Sequence, residues 1–366
     1  MAAAKPIMQK VSPLVPPFLL DDRVYDTLSE APSLDKNVAQ PLPSWTFARK
    51  RPSGGRMPQA IAHRGYKAKH PENTMGAFRG AVKAKAHAME TDIHLTKDDV
   101  VVLSHDATLK RCYGKDEKIL DCTWEYISQQ RTLEAPHEPM PRLRDLLQFL
   151  ASPGLENVWL LLDIKLDNDA DNVMRLIAET IRSVPPNPLK PWNQRLVLGC
   201  WAVKFLPLCA EYLPAFPITH IGFTIPYARK FLSVPNVSFN MLQKTLMIPF
   251  FGARFIRDVK AKRRPLFVWT VNEEAMMKWS IERELDGVIT DDPKRFLEIC
   301  DEWEQGKREI NISWRQWMMI AWINLMVLVF GTIFWWKYSV AGKEKTTRKP
   351  GKGAVPLPSK NEGGVP

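Results

Sequence analysis

The chain has 366 residues and a formal net charge of +11. That length allows one large hydrophobic core with appendages, and the charge suits an anionic partner such as a phosphate, a nucleic acid or an acidic membrane. The five cysteines show no Cys-x-x-Cys spacing, so neither a zinc site nor a disulfide framework is expected, and a reducing compartment is favoured.

The first predicted segment is residues 1–56. It is rich in proline and carries scattered charge, which is typical of a disordered or loosely packed extension. Residues 1–30 contain no continuous apolar run, so no N-terminal secretory signal is predicted there.

The second segment, residues 57–303, alternates short apolar runs with helical patterns, for instance at 74–86 and 172–184. The runs are mostly continuous rather than alternating, as in buried parallel strands, so the segment is predicted to be an α/β protein with a (β/α)8 TIM barrel. One candidate strand too many is present, and VSFNM is the weakest. The candidates are QAIAH, AMETDIH, VVVLSH, VWLLLDIK, RLVLGCW, THIGFTI, VSFNM, LFVWTV and DGVITD.

The third segment contains the uncharged run WMMIAWINLMVLVFGTIFWW at residues 317–336, which as a helix spans about 30 Å. Tryptophans lie near both ends, as they do at membrane interfaces. We therefore predict a transmembrane or membrane-inserted helix at 315–338, with a buried core helix as the alternative. A basic, disordered tail is predicted at 339–366. Because its charges prefer the cytosolic side, a membrane crossing and a shallow insertion both remain open.

Polar side chains follow the first two barrel strands. His63 and Arg64 end QAIAH, and the period of two in a strand places Glu90 and Asp92 on one face of AMETDIH. Two buried carboxylates on one face repel each other unless a cation or a proton lies between them. A divalent ion with oxygen ligands, Mg²⁺ or Ca²⁺, is the natural solution.

The later strands end in polar or aromatic side chains as well. In a barrel the carboxyl ends of the strands converge on one mouth, so these side chains are expected to form a single site. Each one alone has a structural explanation, such as a solvated strand face, a local hydrogen bond or a weak surface ion pair. The repeated placement at strand ends favours a site made of His105, Asp106, Asp163, Lys165, Trp269 and Asn272.

Two histidines with near-neutral pKa values can serve as base and acid. A metal held by three carboxylates, together with Arg64 and Lys165, would neutralise an anionic substrate. No cysteine or Gly-x-Ser-x-Gly serine is placed to act as nucleophile, which argues against acyl transfer. Phosphodiester cleavage is the reaction that these residue types favour.

The motifs HRG, PENT, E-x-D, TKD, HD and DIK, in this order, resemble those of the glycerophosphodiester phosphodiesterases over about residues 58–300. Within that family, HRGYKAKHPENT, LLLDIK, VWTVN and DDP are most similar to fungal-type phosphatidylglycerol-specific phospholipase C, which also resembles this chain in an apolar segment after the barrel. The resemblance implies a metal-dependent TIM barrel.

The resemblance also implies a role for each matching residue. His63 and His105 are the expected acid–base pair, and Glu90, Asp92 and Asp163 the expected ligands of Mg²⁺ or Ca²⁺. Arg64 and Lys165 are expected to contact the substrate phosphate, with Glu72, Asn73 and Trp269 supporting the site.

The implied reaction is hydrolysis of phosphatidylglycerol to diacylglycerol and glycerol phosphate, a phospholipase C reaction of lipid catabolism. The alternatives are a phosphodiesterase for soluble deacylated phospholipids, a lysophospholipase D, and a non-enzymatic lipid sensor. The expected partners are a phospholipid and a membrane rather than nucleic acid. The expected location is an intracellular membrane (endoplasmic reticulum, outer mitochondrial membrane or lipid droplet) with the barrel in the cytosol.

Three positions depart from the common family pattern. Lys85 begins KAHA where Gly-Ala often precedes E-x-D, and Asp99 stands where the T-K-D turn commonly has glycine. Asp163 replaces a frequent glutamate, as it does in the phospholipase group, so we do not expect this change to abolish activity. The first two changes are expected only to reshape loops.

Overall fold

A computed structural model of the protein describes residues 41–51 and 54–341, with side chains described as far as Phe330. A 3-10 helix at Ser44–Thr46 comes first. The strands are β1 (Arg49–Lys50), β2 (Arg56–Met57), β3 (Gln59–His63), β4 (Ala88–Leu95), β5 (Val101–Leu103), β6 (Trp159–Ile164), β7 (Leu196–Cys200), β8 (Ile218–Gly222), β9 (Ser238–Leu242), β10 (Leu266–Trp269) and β11 (Gly287–Thr290).

The α-helices lie mostly between these strands. They are α1 (Met75–Lys83), α2 (Lys110–Tyr113), α3 (Trp124–Ser128), α4 (Leu143–Leu150), α5 (Ala170–Ser183), α6 (Phe205–Tyr212), α7 (Ile225–Phe231), α8 (Gln243–Leu246), α9 (Phe251–Ala261), α10 (Glu274–Glu282), α11 (Pro293–Glu304) and α12 (Trp314–Ala341).

The central sheet closes into a parallel barrel. Its strand order is β3-β11-β10-β9-β8-β7-β6-β4, and a pairing between β3 and β4 closes the ring. Almost every residue of these strands is buried, because one face lines the barrel interior and the other packs against the outer helices. The predicted TIM barrel is confirmed.

The surplus strand in the sequence prediction was VVVLSH, not VSFNM. VSFNM supplies β9, which pairs in parallel with both β8 and β10 inside the barrel. VVVLSH supplies β5, which pairs antiparallel with the end of β4 and lies outside the ring. Only residues 96–100 separate β4 from β5, too few for the crossover that two parallel strands require.

The lower end of the barrel, where its strands begin, is covered by residues 44–50. The Gln59 side chain donates to the backbone oxygens of Trp45 and Phe47 at 2.9 and 2.8 Å, and accepts from Trp159 Nε1 at 2.9 Å. Trp45 also packs edge-on against Trp159. These residues were expected to belong to a loosely packed extension, yet they close the bottom of the core; residues 1–40 of that extension lie outside the described residues.

The last helix, α12, contacts helix α8, which follows β9, and the loop that follows β10. Asn324 Nδ2 donates to the backbone oxygen of Lys244 at 2.9 Å, the Gln316 side chain donates to Glu273, and Ile320 is buried against the core. Within the part of the chain whose side chains are described, no helix is found that is long and apolar enough to cross a membrane. The predicted transmembrane helix is therefore not supported; its segment continues beyond Phe330, and the predicted tail after residue 341 lies outside the described residues.

Candidate active site

The turn between β3 and α1 brings the HRG and PENT motifs to the mouth of the barrel. Arg64, Gly65 and Asn73 have φ angles of 55°, 79° and 53°, in the left-handed region. A Cβ on Gly65 would lie 2.7 Å from the carbonyl carbon of Ala77, so only glycine fits there. Thr74 then caps α1 by accepting from the Ala77 N–H at 3.2 Å. The two motifs thus form a turn of fixed conformation, which places Arg64 at the carboxyl ends of the strands.

Three carboxylates meet inside the mouth. The registers of neighbouring strands place Glu90 beside His63 and Asp92 beside Asp163. One oxygen from each of Glu90, Asp92 and Asp163 lies within 4.8 Å of the other two, and all three side chains are buried. The structure brings the predicted metal ligands together.

Two cations lie against these carboxylates. Lys165 Nζ is 2.7 Å from Asp92 Oδ1 and 2.6 Å from Asp163 Oδ2, and its side chain is only 2% exposed. The Arg64 backbone N–H donates to Glu90 Oε2 at 3.0 Å, and Arg64 Nε lies 3.3 Å from Asp92 Oδ2. Lys165 and Arg64, which were predicted to contact the phosphate, therefore contact the predicted metal ligands in this structure.

The pKa values show how this charge is balanced. Burial, together with Asp92 and Asp163, raises the pKa of Glu90 well above its usual range. Burial would also raise the pKa of Asp92, but Lys165 and Arg64 hold it well below its usual range. Burial also raises the pKa of Asp163, although Lys165 opposes the shift. Three carboxylates thus share two cations, and their mutual repulsion is not fully compensated.

The arrangement fits a divalent metal ion. A cation among Glu90, Asp92 and Asp163 would remove the repulsion that disfavours ionised Glu90. All the donors are carboxylate oxygens, the ligand type that Mg²⁺ and Ca²⁺ prefer. Asn73 Nδ2 donates to Asp92 Oδ2 at 2.8 Å and its Oδ1 accepts from Thr91, which fixes the orientation of that ligand.

His63 is oriented by a carboxylate on the last strand connection. Its Nδ1 lies 2.6 Å from Asp291 Oδ1, and Asp291 Oδ2 accepts from Asn272 Nδ2 at 2.8 Å. Burial alone would raise the pKa of Asp291, but the hydrogen bond from His63 outweighs it and lowers this pKa to about 2. Asp291 is therefore ionised and can only accept hydrogen bonds. His63 Nδ1 therefore donates, which leaves Nε2 free to take a proton.

His105 has a matching partner. Its Nδ1 lies 2.7 Å from Asp106 Oδ1, which again leaves Nε2 for chemistry. Burial, Arg64 and Lys165 lower the pKa of His105 to about 3, so the imidazole is neutral at physiological pH. The expected acid–base pair consists of two imidazoles, each fixed through Nδ1 by its own carboxylate.

A further arginine, Arg111 on α2, connects the two halves of the mouth. Arg111 Nη1 and Nη2 donate to the two oxygens of Glu72 at 2.8 and 2.7 Å, while Nε donates to Asp106 Oδ2 at 2.7 Å. Glu72 also accepts from Arg64 Nη1 at 2.8 Å. Glu72, predicted to support the site, thus contacts Arg64, and Arg111 links it to the carboxylate that orients His105.

Trp269 lies half-buried at the rim. Its Nε1 donates to the backbone oxygen of Asn240 at 3.0 Å, and its ring packs edge-on against Trp201 at 5.7 Å. Trp201 Nε1 in turn donates to Asp163 Oδ1 at 2.6 Å. Two indoles therefore form one wall beside the metal ligands.

Sequence reasoning missed three contributors: Asp291, Arg111 and Trp201. All three act on residues that were predicted, yet none lies beside its partner in the chain. Only Asp291 had a visible signal, because it belongs to the DDP motif at the end of a strand candidate.

The unusual loop residues adopt the backbone conformation that glycine would supply. Lys85 and Asp99 have φ angles of 61° and 62°, and Asp99 Oδ1 also accepts from Asn172 Nδ2 at 2.8 Å. Both turns therefore keep their shape without glycine. Both departures lie in connections, one before and one after β4, as expected. The expected reshaping of these loops is not seen in the backbone angles, which are those that glycine would supply.

The fold and the site define a class of enzyme: a TIM-barrel phosphodiester hydrolase with a carboxylate metal site and two carboxylate-oriented histidines. The sequence matches the glycerophosphoryl diester phosphodiesterase family over residues 63–295. The chain belongs to this family and hydrolyses phosphodiester bonds.

The chain is similar to several named relatives. It is 28% identical to human lysophospholipase D GDPD1 over 65% of this chain and 85% of that protein. It is 24% identical to a glycerophosphodiester phosphodiesterase of Caldanaerobacter subterraneus, over 65% of this chain and 96% of that protein.

The fold likewise resembles solved structures. A putative glycerophosphoryl diester phosphodiesterase from Silicibacter pomeroyi has a TM-score of 0.63 at 19% identity. The match covers 72% of this chain and 99% of that protein. An Oleispira antarctica phosphodiesterase, solved with the product sn-glycerol-3-phosphate, has a TM-score of 0.59 at 22% identity, covering 67% of this chain and 97% of its own. These likenesses support the fold.

Proposed function

We propose that this protein is a metal-dependent glycerophosphodiester phosphodiesterase whose substrates include lysophospholipids, from which it releases the headgroup alcohol as a lysophospholipase D. The observation that carries the proposal is the convergence of Glu90, Asp92 and Asp163 between two histidines that each have a free Nε2. The relatives named lysophospholipase D support the choice of substrate.

The chemistry needs a hydroxyl next to the phosphodiester. One histidine Nε2 removes the proton of this hydroxyl, and its oxygen attacks phosphorus. The other histidine, after taking a proton from solvent at Nε2, gives it to the leaving alcohol. Water then opens the cyclic phosphate with the two roles reversed: the second histidine takes the proton of the water and the first returns its proton to the glycerol oxygen. Glu90, Asp92 and Asp163 would hold Mg²⁺ or Ca²⁺, which makes such a hydroxyl more acidic and neutralises charge on the phosphate.

This requirement separates the possible lipids. A lysophospholipid has a free glycerol hydroxyl beside its phosphate, whereas a diacyl choline lipid has none. Phosphatidylglycerol has one in its headgroup, so phospholipase C cleavage to diacylglycerol, the reaction first expected from the sequence, is the second candidate. The apolar residues of 317–336 favour a lipid substrate in either case, and residence on an intracellular membrane with the barrel in the cytosol is part of the proposal.

The test is a product assay with the purified full chain and Mg²⁺, Ca²⁺ or EDTA. The substrates are lysophosphatidylcholine, phosphatidylcholine, phosphatidylglycerol and glycerophosphoglycerol, and His105→Ala is the inactive control. We expect metal-dependent choline and lysophosphatidic acid from the lysolipid and no product from phosphatidylcholine. Diacylglycerol from phosphatidylglycerol would instead support the phospholipase C reaction, and cleavage of glycerophosphoglycerol alone would exclude both lipid reactions.

A further inference from the structure

The turn between α8 and α9 holds two phenylalanines in solvent. Phe250 is the most exposed large apolar side chain in the described part of the chain, at 87%, and its neighbour Phe251 is 68% exposed. Each exposed phenylalanine forgoes the stabilisation that burial of its apolar ring would provide. Two such adjacent residues form an apolar projection and not the scattered exposure that is usual on a protein surface.

The backbone conformation of this turn holds Phe250 and Phe251 away from the core. Phe250 has a φ of 61°, a conformation that bulky residues rarely adopt. The turn is fixed by hydrogen bonds from the Gly252 N–H to Ile248 O at 3.0 Å and from the Arg254 N–H to Phe250 O at 2.9 Å. A Cβ on Gly252 would lie 1.9 Å from the backbone oxygen of Leu246, so the chain packs too closely here for any other residue. The strained turn therefore has a defined shape.

The turn belongs to the face of the barrel that carries the site. It follows β9 and α8, and in a barrel the connections that leave the carboxyl ends of the strands surround the mouth. The backbone oxygen of Lys244 on α8, just before the turn, accepts from the Asn324 side chain of α12. The side chains of Trp317 and Trp322 on α12 are also about half exposed. Apolar side chains thus border the mouth on two adjacent elements.

The charges next to the turn are positive. Arg254 and Arg257 lie on the first two turns of α9 and are exposed. The acidic residue that follows Arg257 in the chain, Asp258, is paired with Arg229 at 2.8 Å and also lies 3.9 Å from Arg257 Nε. An aromatic tip followed by two exposed arginines complements a bilayer surface that contains anionic lipid, since aromatic rings enter the headgroup region while arginines meet its negative potential.

We infer that the Phe250–Phe251 turn inserts into the surface of an anionic bilayer and thereby places the barrel mouth against the lipid. This inference rests on the proposed lipid substrate for its biological purpose, but membrane binding by the turn can be measured without turnover. It adds a contact point that is separate from residues 317–336.

The experiment compares the full chain with the double variant Phe250→Ser/Phe251→Ser. Partition is measured by sedimentation with vesicles of phosphatidylcholine, with and without phosphatidylglycerol. We expect the variant to bind anionic vesicles roughly tenfold more weakly, which is less than full transfer of two phenylalanines into an apolar phase would give. Turnover of soluble glycerophosphoglycerol should stay unchanged, which shows that the fold is intact.

Two further variants sharpen the test. Leu189→Ser removes an apolar side chain that is 81% exposed on the connection before β7, at the opposite end of the barrel, and should change nothing. Arg257→Glu should weaken binding to the anionic vesicles by roughly fivefold and leave neutral vesicles unaffected.

The inference is wrong if the double variant partitions like the unmodified chain, or if Leu189→Ser loses as much binding. It is also wrong if the double variant changes only the mass of the protein in analytical ultracentrifugation, because the turn would then contact a second copy of the chain. A protein that binds vesicles through the turn but hydrolyses none of the substrates would refute the proposed function and leave this inference standing.

Discussion

Substituting Asp291 by asparagine tests how His63 is prepared for proton transfer. Asp291 accepts from His63 Nδ1 at 2.6 Å and from Asn272 Nδ2 at 2.8 Å. In the variant, the Asn272 amide N–H keeps the new side-chain oxygen, so the new amide nitrogen faces His63. Its N–H can only donate, so Nδ1 must accept and the imidazole proton moves to Nε2. His63 must act as the base in one half of the reaction, and the nitrogen that should then take up a proton is already protonated.

The magnitude follows from the bond that is lost. A hydrogen bond to a charged group contributes about 1.5–3 kcal/mol, and about 1.4 kcal/mol corresponds to a factor of ten in rate. We therefore expect kcat to fall roughly 10- to 100-fold, with little change in KM because Asp291 orients His63 and does not bind the phosphate.

The assay is steady-state hydrolysis of a soluble glycerophosphodiester at saturating Mg²⁺. Asp292→Asn is a matched control one residue away: Asp292 caps α11 by accepting from the Arg295 N–H at 2.9 Å, and asparagine caps a helix equally well. A kcat for Asp291→Asn within about twofold of the unmodified enzyme, an effect too small for a lost charged hydrogen bond, would refute the assigned role.

Three other substitutions follow from the site. Glu90→Gln should abolish metal-dependent turnover, yet raise Tm in EDTA because it removes carboxylate repulsion. Calorimetry with and without Mg²⁺ measures Tm and its shift on metal binding. An unchanged metal-induced shift in Tm would contradict the ligand assignment. Gly65→Ala should lower the free energy of unfolding by about 1–3 kcal/mol, because the new Cβ would clash with Ala77. Gly154 has a φ of +87° but no atom within 4 Å of the position that a Cβ would take, so Gly154→Ala should lower the free energy of unfolding by less in the same denaturant titration. Arg111→Met should reduce kcat roughly tenfold through loss of its charged hydrogen bonds, with partial rescue by added guanidinium; wild-type kcat would exclude a positioning role.

The barrel could be predicted because most of its strands are continuous apolar runs separated by helical patterns. The error came from VVVLSH, since a hairpin strand buried against the barrel rim has the same apolar composition as a barrel strand. Its distinguishing feature was the short connection at residues 96–100, which reveals antiparallel pairing. VSFNM contains Ser238 and Asn240 within its five residues, and the strand register places both side chains on the same inward face as Asp163.

The metal triad was predictable because strand periodicity alone places Glu90 and Asp92 on one face. The pairing of His63 with Asp291 was not, because it joins residues 228 positions apart and depends on β11 closing the ring next to β3. Arg111 could not be placed either, since its contacts depend on the path of an irregular loop between β5 and α2. Local patterns identified the reacting groups, whereas the groups that orient them depend on tertiary structure.

Because the pairing of β3 with β4 closes the barrel, it determines where the N-terminus of a shortened protein can lie. The family match begins at His63, the last residue of β3. A fragment trimmed to that boundary would lose β3, the strand that joins β4 to β11. The two strands would become unpaired edges, which favour aggregation, and water would enter the barrel interior. It would also lose residues 44–50, which seal the bottom beneath Gln59. Crystallisation and isotope-labelling efforts should therefore start upstream of residue 44.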